Sequence, residues 1–310
     1  MTRPIIIDTD PGQDDAVALL LAWACPDRLD VRMVTTVAGN VGVAQTTANA
    51  LRIRDLAGAA TPVHAGMSQP LLVPLETAEF VCGPDGLAGA GLPPLRSEPA
   101  PGHAVQAIIE TLRAAAPGAI TLCALGPLTN LAMALRLAPD IAPRIRELVL
   151  MGGAMNLGNM TPAAEFNIWV DPHAAAIVLG AGLRVTMLGL HLTHQAIAGP
   201  AQMARLAALD TPAGRAVTGM ITRPRPGGLG TDGHPMHDPC VIAWLLWPDL
   251  FSGRDCHVAV ETGGELRGRT TIDWNGRWRR PATAFIPATL DASALFDRMI
   301  DALATLDGPR

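Results

Sequence analysis

The sequence predicts an α/β fold: a single domain built on a mostly parallel, doubly wound, Rossmann-like sheet flanked by helices. Two observations carry that reading. Short apolar runs alternate with stretches of helical periodicity over the first 190 residues, the pattern of strand–helix–strand units. Polar residues recur at the carboxyl ends of those runs, the edge at which such sheets bind ligands.

The first strand is Ile5-Ile6-Ile7, a continuous apolar run suited to burial on both faces. Pro11-Gly12 turns the chain. Ala16, Leu19, Leu20 and Trp23 then predict a helix over 14–25, stopped at Cys25-Pro26. A strand over 30–37 ends in Ala38-Gly39-Asn40, and a helix over 43–57 leads to a short strand over 61–65. Residues 66–100 are rich in Pro and Gly and read as a long loop, a length that in a compact domain usually serves function. A helix over 103–116, a strand over 119–124, a helix entered through Pro127 and a strand over 146–151 follow. Residues 154–170 read as a polar, irregular stretch, 172–181 as a helix and 183–190 as a strand. Helices are expected across 199–223, then a Gly-rich loop over 224–234. His237-Asp238-Pro239 opens a helix running to Trp247, and the tail reads as two or three strands within 256–286 and an amphipathic helix over 291–305. No repeat or linker divides the chain, so residues 1–310 are read as one domain.

Asp8, Asp10, Asp14 and Asp15 crowd the first strand-to-helix turn. Carboxylates this close raise one another's pKa unless positive charge lies among them. No basic residue lies between Pro4 and Asp27. Helix capping and the helix dipole account for Asp14 and Asp15. They do not account for Asp8 and Asp10 at the end of an apolar strand, so a bound cation is inferred. An all-oxygen donor set indicates a hard ion, Ca²⁺ or Mg²⁺, over zinc.

Composition narrows the partners. With 49% of residues hydrophobic, a sizeable core is available. The net charge of −5 gives no support for nucleic acid or an anionic membrane as partner. Five scattered cysteines without CxxC spacing argue for a reducing compartment and against a disulfide framework or a zinc site. No apolar run approaches the roughly 18 residues of a membrane span, and the chain leads directly into a strand, so a cytoplasmic protein without a signal peptide is expected. The chain contains no lysine and no tyrosine, which excludes mechanisms that need either.

Asp8-Thr9-Asp10-Pro11-Gly12-Gln13-Asp14-Asp15-Ala16 resembles the signature of the inosine-uridine-preferring nucleoside hydrolase family. Val37-Ala38-Gly39-Asn40, Leu125-Gly126-Pro127-Leu128-Thr129-Asn130, Met151-Gly152-Gly153, Glu165-Phe166-Asn167-Ile168-Trp169-Val170-Asp171-Pro172 and His237-Asp238-Pro239-Cys240 match in order and spacing from end to end. The resemblance implies the nucleoside hydrolase fold and calcium-dependent hydrolysis of the N-glycosidic bond of ribonucleosides by a homotetramer or homodimer. It implies Ca²⁺ held by Asp10, Asp15, Asp238 and the backbone carbonyl of Leu125, with Asp10 also the base for the attacking water. Asp14, Asn159, Glu165 and Asn167 would hold the ribose hydroxyls, Asn40 would support metal and ribose, Met151 would line the site, and Asp8 would orient the metal loop. By itself Asn40 reads equally as a turn residue.

The residue types suit the chemistry. Breaking the glycosidic bond ahead of attack builds positive charge on the sugar, which a floor of carboxylate and amide oxygens favours. The departing base needs a proton, and His237 is the candidate acid; positioning of Asp238 or helix capping is the alternative. Cys82 stands where relatives that prefer inosine and uridine typically carry His. It is read either as a substitute contact to the base or as a loop residue. His191, where relatives commonly show Asp, falls at a strand's carboxyl end; it is read either as facing the site or as packing, with packing favoured. Neither 81–91 nor 224–236 contains the Trp with which purine-specific relatives sandwich the base, so broad or pyrimidine-leaning use is expected. Two rivals remain. A haloacid-dehalogenase-type phosphotransferase shares the strand-Asp-x-Asp start but commonly needs Lys. A calcium-dependent nucleoside- or ribose-binding protein without turnover would keep every predicted metal and ribose residue.

Overall fold

A computed structural model of the chain describes residues 2–222 and 233–306. The loop expected over 224–234 lies almost wholly outside those residues. The central sheet has eight strands. In chain order they are β1 (Arg3–Thr9), β2 (Leu29–Thr36), β3 (Val63–Ala65), β4 (Ile120–Ala124), β5 (Ile145–Met151), β6 (Val185–Leu188), β7 (Phe251–Cys256) and β8 (Ala284–Leu290). Their order across the sheet is β3-β2-β1-β4-β5-β6-β8-β7. Every pairing is parallel except β8 with the edge strand β7. The sheet is therefore mostly parallel and doubly wound, as the alternation predicts.

The three isoleucines of β1 show why the sheet is covered on both sides. Ile5 and Ile7 pack into one core layer with the helices Gln13–Ala24, Val43–Leu56, Pro239–Leu246 and Ala292–Leu303. Ile6 packs into the opposite layer with the helices Ala104–Ala114, Thr129–Leu137 and Pro172–Leu179. All three are fully buried, each worth about 1.5–3 kcal/mol of apolar burial.

Several elements depart from their expected bounds. The strand expected over 183–190 stops at Leu188, and a one-turn helix, Leu190–Thr193, follows it. The irregular stretch over 154–170 ends in a short helix, Phe166–Val170, capped by the Glu165 carboxylate. The helix expected to open at His237 begins at Pro239, with Asp238 at its N-cap. The tail carries strands Phe251–Cys256, Val258–Val260, Thr270–Ile272 and Ala284–Leu290, and so begins earlier than position 256. No helix of the described residues is long and apolar enough to cross a membrane.

The chain crosses from one side of β1 to the other between β3 and β4, which makes the crevice between β1 and β4 the switch point where ligands bind in such sheets. Asp10 follows β1 directly at that crevice, and Leu125-Gly126 follows β4.

Candidate active site

The acidic loop is wired from its own backbone and from the neighbouring strand. Asp15 sits in the first helical turn, where its carboxylate accepts from the Gly12 N–H at 3.0 Å and from the Thr9 hydroxyl. The Asn40 side chain donates to Asp15 at 3.2 Å and to the Asp10 carbonyl at 3.1 Å, while the Asn40 N–H donates to Asp10 Oδ2 at 2.7 Å. Asp8, still paired within the sheet, accepts from Thr35 Oγ1 at 2.6 Å and Asn130 Nδ2 at 2.7 Å. These bonds tie Asp8 to β2 and to the helix Thr129–Leu137 beneath the acidic loop.

Oxygen atoms of Asp14, Asp15 and Asp238 lie within 4.8 Å of one another. Asp10 is not one of that trio, although its charge acts on Asp238 and that of Asp15 acts on it. Burial, reinforced by the neighbouring carboxylates, holds Asp10 and Asp238 well above the ordinary carboxylate range. Asp15 is pushed up to about 6, chiefly by burial, with Asp14 adding to the effect. No Arg is among the charges acting on these three groups. Asp10 Oδ1 is buried without a hydrogen-bond partner. A protein rarely leaves such an atom orphaned, and a cation bound here would supply the missing partner. The donors fit a hard one: they are carboxylates, and Leu125 lines the same cavity.

That carbonyl is fixed from the side. Asn167 Nδ2 donates to Leu125 O at 2.7 Å and to Met151 O at 3.2 Å, tying the ends of β4 and β5 together. Glu165 accepts from the N–H groups of Gly153 at 2.9 Å, Asn167 at 2.9 Å and Ile168 at 3.1 Å. Burial nonetheless pushes its carboxyl up to about 7. Asn159 Oδ1 accepts from the Phe166 N–H at 2.9 Å.

Above this floor opens a cavity of about 1060 Å³. Asp14, Asn40, Leu125, Met151, Asn159, Glu165, Asn167, His237 and Asp238 all line it, while Asp10 and Asp15 are buried. Residues from the ends of β1, β2, β4 and β5 and from two later segments thus converge on one space.

Cys82 does not line that space. Its buried thiol donates to the Ala78 carbonyl at 3.2 Å, and burial pushes it up to about 12. Of its two alternatives, the geometry matches the loop residue. Phe80 and Val81 take the wall, with Phe80 58% exposed over the cavity. His191 donates or accepts at Pro287 O (3.0 Å) and stitches the helix Leu190–Thr193 to β8, in keeping with packing.

Sequence reasoning missed several residues. His194 and His234 line the cavity, and Thr193 Oγ1 lies 2.7 Å from His237 Nδ1. Gln13 Nε2 donates to Ala88 O at 3.0 Å and Met220 O at 3.3 Å, joining the loop after Cys82 to the helix Pro212–Ile221 beside the acidic floor. The one available signal was that Thr193 and His194 follow shortly after the carboxyl end of a parallel strand.

A model of the inosine-uridine preferring nucleoside hydrolase family matches residues 5–297. The chain belongs to that family. This nucleoside hydrolase is 45% identical over 288 residues to the non-specific ribonucleoside hydrolase RihC of Salmonella enteritidis, covering 93% of each chain. It is 46% identical over 308 residues to an uncharacterized protein of Schizosaccharomyces pombe, covering 97% of this chain and 99% of that one. Its fold superposes on the purine-preferring ribonucleoside hydrolase of Gardnerella vaginalis with a TM-score of 0.91 at 29% identity, covering 98% of this chain and 99% of the other. The phosphotransferase rival is set aside: the family is one of metal-dependent hydrolases, and the chain carries an acidic cluster that could hold a metal ion.

Proposed function

We propose that this nucleoside hydrolase works with Ca²⁺ held by Asp10, Asp15, Asp238 and the Leu125 carbonyl, and that its use of ribonucleosides is broad or pyrimidine-leaning. The observation that carries the reading is a buried carboxylate cluster with no Arg acting on it and an unpartnered Asp10 oxygen, set beneath a large cavity. Bound there, calcium orients a water and the sugar diol and lowers the water's pKa.

The chain's own residues do the rest. Asn159, Glu165, Asn167 and Asp14 hold the ribose on the polar floor, with carboxylate oxygens facing the charge that develops on the sugar. The C1′–N bond breaks with its electron pair passing to the base. His237 gives the base a proton, the water oxygen bonds to C1′, and Asp10 takes the water's proton. The Asp14 contact to the 2′-hydroxyl makes deoxyribonucleosides poor substrates. Broad base range is supported by the name of the RihC relative, non-specific ribonucleoside hydrolase. It is also supported by a cavity wall that carries no Trp among the described residues.

Ribose release from inosine, uridine, cytidine, adenosine and guanosine tests the reading, before and after EGTA treatment and after calcium is restored. Release that disappears with calcium and returns with it is expected, with uridine and cytidine among the better substrates. Full activity after verified calcium removal overturns the metal assignment. No release from any nucleoside by calcium-loaded, folded protein turns the reading to a binding protein.

A pH dependence follows. Asp15 (about 6), Glu165 (about 7) and Asp8 (about 7) all lie above their ordinary values because of burial. Stability from groups shifted this way is full below the unfolded pKa and is lost as pH rises through about 6–7. The metal-free protein therefore weakens between about pH 4 and 7, while calcium displaces the protons and gains affinity by about ten-fold per pH unit for each proton displaced. Calorimetric titration should show calcium affinity, and the calcium-induced rise in Tm, larger at about pH 8 than at about pH 5. Equal values at both pH values contradict the cluster as the calcium site.

A further inference from the structure

The cavity wall opposite the ribose floor carries histidines from two separate segments. His194 ends the turn after Leu190–Thr193, and His237 precedes the helix Pro239–Leu246. Their rings lie 5.5 Å apart, tilted by 58°. Thr193, one residue before His194, is fully buried, and its hydroxyl reaches His237 Nδ1 at 2.7 Å across 44 positions of sequence.

A fully buried hydroxyl is costly unless it is partnered. The partner chosen here is one edge of an imidazole whose other edge belongs to a residue on the cavity wall. The choice of a hydroxyl has a chemical consequence. It accepts from Nδ1 when that nitrogen carries a proton and donates to it when it does not. A carboxylate can only accept and so favours the charged ring; a backbone N–H can only donate and so favours the neutral one. The Thr193 hydroxyl can stay bonded to Nδ1 in either tautomer, which fixes the ring's orientation. The hydroxyl is itself held rigidly, because the Thr193 N–H donates to the Gly189 carbonyl at 3.1 Å, closing the one-turn helix that follows β6.

We propose that Thr193 is a positioning residue for glycosidic cleavage: its hydroxyl pins His237 Nδ1 and so turns Nε2 toward the departing base. This rests on His237 as the proton donor to the leaving group. Asp10 and the ribose-binding residues act on the water and the sugar, so the loss of Thr193 does not reach them. Its effect therefore depends on how much the leaving group needs a proton. Uridine and inosine need one. An aryl riboside with a nitrophenolate leaving group departs as a stable anion and does not.

The test compares Thr193→Val and Thr193→Ser with wild type and with His237→Ala, all calcium-loaded and checked for fold by circular dichroism. The substrates are uridine, inosine and 4-nitrophenyl riboside. Thr193→Val keeps the shape and removes the hydroxyl. It is expected to lower kcat on uridine and inosine by about 10²-fold, the low end of a general acid's contribution. KM should stay within about three-fold, and the loss on the aryl riboside should be under about three-fold. Thr193→Ser should recover most of the uridine rate. His237→Ala should show the same dependence on leaving group with a larger loss. Equal losses of Thr193→Val on all three substrates mean a general structural effect and overturn the proposal, as does a uridine kcat that Thr193→Val leaves unchanged. If His237→Ala also keeps full uridine activity, the reading of His237 falls with it. A deficit in His237→Ala without one in Thr193→Val overturns the role of Thr193 alone. If Thr193→Val does not fold, Thr193→Ser at the uridine rate of Thr193→Ala decides against the hydroxyl.

Discussion

Replacing Asp10 by Asn is expected to lower kcat/KM for uridine by about 10³-fold or more while leaving the protein folded. Asp10 Oδ2 accepts the Asn40 N–H at 2.7 Å, and Oδ1 is the buried oxygen with no partner. Asn keeps the shape, and its oxygen keeps the bond to Asn40. Its amide nitrogen then takes the place of Oδ1 and presents N–H donors where a cation needs an acceptor. Two losses coincide, because a metal ligand and the base for the attacking water are removed together; the base alone is worth about 10²–10⁴-fold. Stability moves the other way. Burial and the Asp15 charge already hold the Asp10 carboxyl well above its ordinary range, so a neutral side chain relieves repulsion in the metal-free state. The metal-free variant should match or exceed wild type in Tm above pH 7, and its Tm should not respond to calcium. Retained turnover in Asp10→Asn contradicts the role given to Asp10. A calcium-dependent Tm that persists in the inactive variant separates its part as a base from its part as a ligand.

The sheet and most of the floor were legible because they rest on local chemistry. An apolar run such as Ile5-Ile6-Ile7 specifies a strand covered on both faces whatever its distant neighbours are. Carboxylates at Asp8, Asp10, Asp14 and Asp15, with no nearby basic residue, mark an acidic cluster before any fold is known. What stayed hidden depends on direction or on distant pairing. Phe80 and Cys82 share a one-turn helix and lie two residues apart, about 200° around it. Only one of them can face the cavity, and periodicity within four residues does not say which. The edge strand Phe251–Cys256 is polar and exposed over its middle, as edges are when they must resist pairing with another chain, so it lacks the apolar signal that marks a buried strand. Thr193 is an ordinary residue beside a turn until the fold brings it to His237. The glycines at 39 and 126 read as turn residues, and their second role belongs to packing.

That second role leads to the other large effect expected, in Gly126→Ala. A Cβ on Gly126 would lie 2.2 Å from Asp10 Oδ1 and 2.8 Å from its Cγ. On the opposite side, a Cβ on Gly39 would lie 2.1 Å from Asp10 Oδ2 and 2.9 Å from the Pro127 ring. The two glycines clasp the Asp10 carboxylate between the turns that follow β2 and β4 and leave it one position. Neither has a positive φ, so alanine meets no left-handed backbone at either site. The cost of Gly126→Ala therefore falls on the Asp10 side chain, which must swing away from a methyl group and cannot move toward Gly39 without meeting the opposite wall. Calcium affinity is expected to fall by about 10–100-fold, the range for losing support behind a metal ligand, with kcat/KM falling at least as far. Overpacking at a buried site costs about 1–3 kcal/mol, so Tm should drop by no more than a few degrees and the fold should remain. Calcium titration by calorimetry and steady-state kinetics read the two effects separately. The double variant with Asp10→Asn is the sharper measurement, because substitutions that act through one side chain do not add. Once Asp10 has lost its charge, Gly126→Ala should change activity by less than about three-fold. Full additivity, or wild-type calcium affinity in Gly126→Ala, shows that the clasp does not set the Asp10 carboxylate.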